Sequence, residues 1–316
     1  MTKKTITKIW RFVIFLLAAA GIFSACSFGP SGNTGTTKNA SYLPPKIVGT
    51  IADPEIVESS GLTASKCQPD VFWTHNDSGD DAFIYAMNRS GAKLGTWAVP
   101  GANNIDWEDI SGFKDAAGKC FIYIGEIGDN DAKRSEHAIY RVREPRVTAA
   151  DAESVRSKPS QSETAEVLRF TYPDGGHDAE TLLVDPKTAE IYVMTKRSNG
   201  PAGVYRLGTK FDSNQIVTAE KIAEVSMPAV PNGFVTGGDI SPDGRRVIIA
   251  DYSAGYEFTL PEGAANFDEI WKQQPEVVDL GRRKVGESAC YSPDGNAIYA
   301  SSEGKSAPIF EIERRH

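Results

Sequence analysis

A repeated unit constrains the fold of this chain more than any other sequence feature. Ser-Pro-Asp-Gly turns stand at 241–244 and 292–295, and each is followed by two runs rich in apolar and aromatic residues. Looser copies of the unit precede them. In every unit the first predicted strand comes before the turn and starts at a corresponding residue. These residues are Glu58, Glu108, Glu180, Thr236 and Glu287. Units of about 50 residues with four short strands each predict an all-β fold, the β-propeller.

The chain supplies strands for five blades. The last unit shows only three strands before residue 316, whereas the segment 46–51 (KIVGTI) precedes the first unit. This segment can provide the missing outer strand, and its pairing with the last blade would remove the open edge of the ring. We therefore expect five four-stranded blades in a single domain, 46–316, closed by the N-terminal strand. Six blades are the alternative if the polar stretch 148–165, expected to form a surface insertion, hides further strands.

The N-terminal region is typical of an export signal. Residues 1–11 carry four basic and no acidic side chains, and 12–23 form an apolar run of 12 residues, too short for a permanent membrane span. Ser24 and Ala25 then precede Cys26, so 1–25 resembles a bacterial lipoprotein signal with Cys26 as the lipidated residue; an ordinary signal peptide or an uncleaved anchor is the alternative. The Gly-, Ser- and Pro-rich stretch 26–45 predicts a flexible tether. We expect a lipid-anchored protein of the bacterial cell envelope, periplasmic or surface-exposed.

The charge of the chain limits the classes of partner that it can bind. The full sequence has 34 basic and 42 acidic residues, a formal charge of −8. Loss of 1–25 removes four basic residues only, which leaves 30 against 42 and a charge of −12. This acidic excess argues against nucleic acid and against direct binding to an anionic membrane surface. The expected partners are a small anionic ligand or an envelope protein, with membrane contact only through the lipid.

The remaining cysteines do not have metal-site spacing. Cys67 and Cys120 each precede the second strand of adjacent blades, on the same face, and an extracytoplasmic location permits a disulfide between them. Cys290 lies within an innermost strand, which predicts a buried thiol.

Acidic residues recur where each innermost strand begins. In a propeller these positions surround one mouth of the central channel, so the repeat predicts a carboxylate-lined mouth, which we call the acidic funnel. The predicted metal ligands are Glu58, Asp106, Glu108, Glu126, Asp178, Glu180 and Glu287. Thr236 interrupts the ring, and Asp239 is its nearest substitute. Oxygen-rich ligation without thiolates favours Ca²⁺ or Mg²⁺. Alternatively, each Glu caps backbone N–H groups of a neighbouring blade, and both roles can coexist.

The ends of the second strands face the same mouth and differ between blades, as expected of a ligand-reading surface. His75 and Asp77 are candidates for a general base or a metal ligand, and with Glu108 they form the predicted catalytic set. The predicted ligand-binding residues are Lys196, Arg197, His177 and Tyr252. The first two are anion anchors. As alternatives, residues 76–79 (NDSG) suit a tight turn, and the Lys-Arg pair suits a solvated loop.

Several segments carry a family resemblance: ESSGL, WTHNDSGD, DWEDI, YIGEIGDN, HDAETLLVDP and GGDISPDGRR. Together they resemble bacterial extracytoplasmic propellers that are broadly similar to the phytase-like, or esterase-like, propeller proteins. The resemblance implies Ca²⁺-assisted hydrolysis of phosphate or other esters, with the acidic ring holding the metal and Lys196 and Arg197 holding the anion. The alternative function is a non-catalytic propeller that binds a ligand or protein and contains a structural cation.

Overall fold

The computed structural model describes residues 41–229 and 231–315. These residues form five small sheets arranged in a ring, so the predicted five-bladed β-propeller is confirmed. The predicted signal sequence, Cys26 and most of the predicted tether lie outside the described residues. The helices of the described part are two short 3-10 segments, Ala149–Glu153 and Phe267–Lys272. No helix within that part is long and apolar enough to cross a membrane.

The first two blades contain five strands each, in order from the channel outwards. Blade 1 consists of Ser59–Ala64, Phe72–Asn76, Phe83–Met87, Lys93–Ala98 and Ser160–Gln161. Blade 2 consists of Trp107–Lys114, Cys120–Glu126, His137–Arg143, Glu166–Thr171 and Ile216–Thr218. The fifth strand is the addition to the predicted four, and in both blades it pairs parallel to the fourth strand.

The other three blades have the predicted four strands. Blade 3 consists of Ala179–Val184, Ile191–Thr195, Ala202–Gly208 and Glu220–Val225. Blade 4 consists of Gly237–Ile240, Arg246–Ala250, Gly255–Thr259 and Glu276–Val278. Blade 5 consists of Gly286–Tyr291, Ala297–Ser302, Pro308–Glu313 and the N-terminal strand Lys46–Thr50.

The N-terminal strand closes the ring as the sequence predicts. Lys46–Thr50 pairs antiparallel with Pro308–Glu313, so the last blade is completed by the start of the domain. The folded part begins a few residues earlier than the expected boundary at residue 46, because Tyr42 is only 1% exposed. Its hydroxyl donates a hydrogen bond to the carboxylate of Glu257 in blade 4. The entering chain therefore packs against blade 4 before it joins blade 5.

Three connections between third and fourth strands reach back to the preceding blade. The polar stretch of blade 2 carries Ser160–Gln161 to the edge of blade 1, and the corresponding connection of blade 3 carries Ile216–Thr218 to the edge of blade 2. In blade 4 this connection contains the helix Phe267–Lys272, whose Asp268 accepts a 2.8 Å hydrogen bond from Arg206 of blade 3. We call these three connections clasps. The predicted surface insertion is therefore one member of a repeated device that holds neighbouring blades together.

The hydrophobic core is divided into five clusters, each between two adjacent blades. Strand Arg246–Ala250 shows the reason, because alternate residues of a strand face opposite sides of the sheet. Val247 and Ile249 pack towards blade 3, and Ile248 and Ala250 pack towards blade 5. Burial of each large aliphatic side chain contributes about 1.5–3 kcal/mol, so the interfaces between blades supply most of the driving force for folding.

The cysteines are placed as the sequence predicts. Cys67 and Cys120 form a disulfide that links the loop after the first strand of blade 1 to the second strand of blade 2. Cys290 is a free, buried thiol, and burial raises its pKa above the ordinary range. The disulfide joins adjacent blades on the face opposite to the acidic funnel.

Candidate functional site

Carboxylates from three blades converge at one mouth of the channel. Oxygen atoms of Asp77, Asp106 and Glu108 lie within 4.8 Å of one another, and so do oxygen atoms of Glu108, Asp178 and Glu180. Glu108 belongs to both groups and joins them into one set of five residues, which we call the carboxylate cluster. The i and i+2 spacing of Asp106 with Glu108, and of Asp178 with Glu180, brings both members of each pair to the same mouth. The structure thus assembles five of the predicted residues.

Irregular strand pairing accompanies these side chains. The register between the first and second strands shifts at Glu108, at Glu180 and at Glu287, so in each blade the glutamate sits at a bulge. A bulge inserts one residue into a strand and changes the direction in which its side chain points. In blade 4, which carries Thr236 and the unshifted pair of Gly237 with Ala250, the register is regular. Three of the four repeated glutamates therefore mark a bulge, whereas in blade 1 the shift lies between Ser59 and Leu62, after Glu58.

Glu108 occupies the most enclosed position of the carboxylate cluster. Glu108 is 3% exposed, and its carboxylate lies within 4.8 Å of carboxylate oxygens from the other members of both groups. Gly128 lies directly beside it, since a Cβ atom there would come within 2.1 Å of Glu108 Oε1 and 2.6 Å of Asp106 Oδ2. Burial, and then the charge of Glu180, raises the pKa of Glu108 well above its usual value. A carboxylate buried among other carboxylates is stabilised by a proton or a cation.

Other carboxyl groups of the funnel share this shift. Burial, together with the charges of Asp106 and Glu58, raises the pKa of Asp77 to about 6. Burial and the charge of Asp178 raise the pKa of Asp106 to about 6. For Glu180, burial outweighs the opposing effect of Lys196 and raises the pKa to about 7. Without a cation, the folded protein therefore binds more protons at neutral pH than the unfolded chain does.

This proton binding predicts how the stability of the cation-free protein depends on pH. A group whose pKa is raised by folding stabilises the fold below its unfolded pKa and loses that contribution as the pH rises through its folded pKa. Glu180 alone corresponds to a loss of about 2 kcal/mol in the free energy of unfolding between pH 5 and pH 8. Urea unfolding in chelator should show lower stability at pH 8, and added Ca²⁺ should restore it. Equal stability at the two pH values would contradict the proton-binding cluster. Glu180→Gln is the control, because it removes this titrating group and should make stability depend less on pH.

Lys196 lies in the funnel as an internal cation. Its Nζ donates a hydrogen bond of 2.7 Å to Glu180 Oε1 and one of 3.0 Å to the hydroxyl of Tyr252. The ammonium also lies 4.9 Å from the ring centroid of Phe234 and 5.1 Å from that of Tyr252. Burial lowers the pKa of Lys196, but the Glu180 carboxylate and the Tyr252 hydroxyl raise it by more than burial lowers it, so the ammonium stays charged. Lys196 and Tyr252, two of the predicted ligand-binding residues, thus contact each other in the funnel.

Two predicted residues lie away from this cluster. Arg197 is held through its backbone, which forms a bridge with Gly233. His177 turns towards the outer part of the blades, where its Nε2 lies 2.8 Å from Asp174 Oδ1 and 3.1 Å from the hydroxyl of Tyr205. The position of each in the repeat was read correctly, but the direction of a loop side chain does not follow from the repeat.

His75, a predicted catalytic residue, is enclosed in the protein. It is 0% exposed, its Nδ1 lies 3.0 Å from the carbonyl oxygen of Asn76, and its ring packs at 5.7 Å from that of Trp107. Burial lowers its pKa to about 4, so the imidazole is neutral at physiological pH. The ring of this predicted catalytic residue is therefore closed off from solvent.

Of the other predicted metal ligands, Glu126 caps the backbone. It accepts hydrogen bonds from the N–H groups of Ile105 at 2.8 Å and Asp106 at 3.1 Å, and it pairs with Arg134 at 2.7 Å. These N–H groups lead into the first strand of the same blade, so Glu126 caps its own blade and not a neighbouring one. In this structure Glu126 fixes the segment that carries Asp106.

The remaining glutamates line the opposite rim. Glu58 is exposed, and Glu287 is 4% exposed with an Oε2 atom that has no hydrogen-bond partner among the described residues. Burial and the charge of Glu180 raise the pKa of Glu287 to about 9. Glu303, which was not a predicted site residue, joins this rim, since burial and the charges of Asp77 and Glu58 raise its pKa to about 7. It follows a second strand, the position that sequence analysis had associated with ligand reading.

Two aspartates below the mouth fasten the blades at the channel axis. Asp109 accepts hydrogen bonds from the N–H groups of Ile110 at 2.8 Å, Leu182 at 2.9 Å and Gly238 at 3.3 Å, which belong to blades 2, 3 and 4. Asp239 accepts 3.0 Å from the N–H of Tyr291 in blade 5. Asp239 therefore does not replace the missing glutamate of blade 4. The cross-blade capping expected of the ring glutamates is performed by these two residues.

Comparison with models of known protein families gives no match, and comparison with curated proteins gives none either.

Proposed function

We propose that this propeller is a divalent-cation-dependent hydrolase of phosphate or other esters, anchored in the cell envelope by a lipid on Cys26. The observation that supports the proposal is the carboxylate cluster, in which Glu108 is shared by two groups of three carboxylates and is only 3% exposed. Such a set of buried negative charges is relieved by a cation of charge +2 more fully than by the single ammonium of Lys196.

The donor set fits calcium. Ca²⁺ takes six to eight oxygen ligands and accepts carboxylates in either monodentate or bidentate fashion. Asp77, Asp106 and Glu108 would hold a cation on one side, and Asp178 and Glu180, with Glu108, on the other. No sulfur or imidazole ligand belongs to either group, which disfavours zinc. A bound cation would polarise an ester or phosphoryl oxygen and acidify water.

The surrounding side chains suit an anionic substrate. Lys196 has one N–H left after its bonds to Glu180 and Tyr252, and this N–H can donate to a phosphate or carboxylate oxygen. Asp77 is half-buried at the edge of the cluster, where it would hold the cation or orient a water molecule beside it. The aromatic rings of Phe234 and Tyr252 keep the ammonium in place while the substrate enters.

Removal of the cation tests this proposal. With a panel of phosphate and carboxylic esters, we expect turnover that EDTA abolishes and that Ca²⁺ restores. Glu108→Gln should lose turnover even with Ca²⁺, because the shared ligand has lost its charge. Glu262→Gln is the matched control, since Glu262 is exposed and belongs to neither group of the cluster. Turnover that survives EDTA would contradict the cation-dependent reaction.

A non-catalytic propeller with a structural cation is the second candidate. It is favoured by the position of His75, which leaves the funnel without an imidazole base. Under this function the funnel would bind a ligand or an envelope protein, and chelation would lower the melting temperature without any turnover being found in the same panel. The two candidates share the cation site and differ only in the chemistry.

A further inference from the structure

Arg156 connects the clasp of blade 2 to the top of blade 1. The clasp crosses the edge of blade 1. There the guanidinium of Arg156 donates a hydrogen bond of 2.7 Å to the hydroxyl of Tyr85 and lies 3.1 Å from Asp80 Oδ2. The backbone N–H of Arg156 donates 3.0 Å to the carboxylate of Glu55. Asp80 is 7% exposed in its side chain, against 35% for Arg156, so the ion pair is largely shielded from water. These contacts therefore hold the clasp at a defined position on blade 1.

The same contacts continue to the funnel. Asp80 Oδ2 accepts a hydrogen bond of 2.8 Å from Asn76 Nδ2, and Asn76 is 2% exposed. The Oδ1 atom of Asn76 in turn accepts from the N–H groups of Val57 at 2.9 Å and Glu58 at 3.0 Å. The carbonyl of Glu58 then accepts 3.0 Å from the N–H of Asp77. An unbroken series of hydrogen bonds therefore runs from the clasp to Asp77.

We propose that Arg156 is a positioning residue of the acidic funnel, which acts through Asp80 and Asn76 to fix Asp77 beside Glu108. The inference rests on the proposed function, because it concerns one side of the same cation site. Residues that orient metal ligands from outside the ligand set commonly change metal affinity 10- to 100-fold when they are mutated. In this protein the orienting residue comes from a neighbouring blade, so the clasp has a role in the site as well as in the ring.

The inference predicts an effect on one side of the cluster only. Asp77 belongs to the group with Asp106 and Glu108, and it is absent from the group with Asp178 and Glu180. Loss of Arg156 should therefore weaken the first group and leave the second unchanged. A general loss of stability would weaken both groups together.

Calorimetric titration with Ca²⁺ tests this difference. In wild-type protein we expect saturable binding, and in Arg156→Ala roughly a 10- to 100-fold loss of affinity for the ion held by the Asp77 side. Arg156→Lys should recover part of the affinity, because an ammonium can still pair with Asp80. Tyr85→Phe removes one donor to Asp80 at 2.7 Å and should give a smaller loss, which keeps the inference testable if Arg156→Ala does not fold.

Arg206→Ala is the matched control. Arg206 also joins a clasp to the neighbouring blade, through Asp268 at 2.8 Å, but no described contact links it to the carboxylate cluster. It should lower the melting temperature and leave Ca²⁺ affinity unchanged. Wild-type affinity on both sides in Arg156→Ala would overturn the positioning role while leaving the proposed function intact. Absence of Ca²⁺ binding in the wild-type protein would overturn the proposed function and this inference together.

Discussion

Replacement of Asp109 by alanine is expected to lower the free energy of unfolding by about 3 kcal/mol, which makes it one of the most damaging substitutions in the ring. The carboxylate accepts hydrogen bonds from backbone N–H groups of three blades, and the residue is 1% exposed. Alanine would leave these donors buried without acceptors, at a cost of about 1–3 kcal/mol each, partly offset by the removal of a buried acid. Chemical denaturation of the variant measures the loss.

Asp109→Asn separates the hydrogen bonds from the charge. Its side-chain carbonyl oxygen can still accept from one or two of the N–H groups, so we expect a loss of only about 1 kcal/mol. Burial raises the pKa of Asp109 well above its ordinary value, so its negative charge is itself costly at this position. An alanine variant as stable as the wild type would show that the axial aspartates do not fasten the blades.

Glu108→Gln is expected to reduce Ca²⁺ affinity more than any other single substitution in the funnel. Glu108 is the only residue that belongs to both three-carboxylate groups, so its neutralisation removes a charged ligand from each. We expect a loss of at least about 100-fold in affinity, equal to about 2.7 kcal/mol of binding free energy. Titration calorimetry at pH 7 measures it.

The same substitution should raise the stability of the cation-free protein. Burial and the charge of Glu180 raise the pKa of Glu108, so the carboxylate is destabilising when it is ionised without a cation. Glutamine removes that charge, and we therefore expect a higher melting temperature in EDTA at pH 8. Glu58→Gln is the control, because Glu58 is exposed at the rim and lies outside both groups. A Glu108→Gln protein that binds Ca²⁺ as the wild type does would contradict the shared-ligand role.

The fold followed from the sequence because propeller geometry repeats. The recurring turns, the spacing of Glu58, Glu108, Glu180 and Glu287, and the missing strand of the last unit were enough to predict five blades and their closure by Lys46–Thr50. The clasps were not predictable in this way. They have little sequence periodicity, and Ser160–Gln161 is a strand of two residues whose partner lies on another blade.

The sequence predicts the candidate site only in part, and the reason is physical. The alternation of a strand predicts that residues two apart face the same way, and Asp106 does meet Glu108 as Asp178 meets Glu180. Both aspartates nevertheless lie just before their strands, so alternation within a strand is not what brings the pairs together. Alternation does not predict the bulges at the glutamates, which decide that the next residue, Asp109, turns to the axis. The loop residue His177 contacts a near neighbour, Asp174, and also Tyr205, which lies on another strand and is 28 residues away in sequence.

A crystal structure of the protein soaked in Ca²⁺ and phosphate tests the central claim most directly. The account predicts anomalous density for calcium in contact with Glu108 and with Asp77 and Asp106, or with Asp178 and Glu180, and phosphate near Lys196. The contradicting result is a funnel without calcium at saturating concentration, in which the carboxyl groups of the cluster are protonated or bonded to backbone amides and to Lys196 alone.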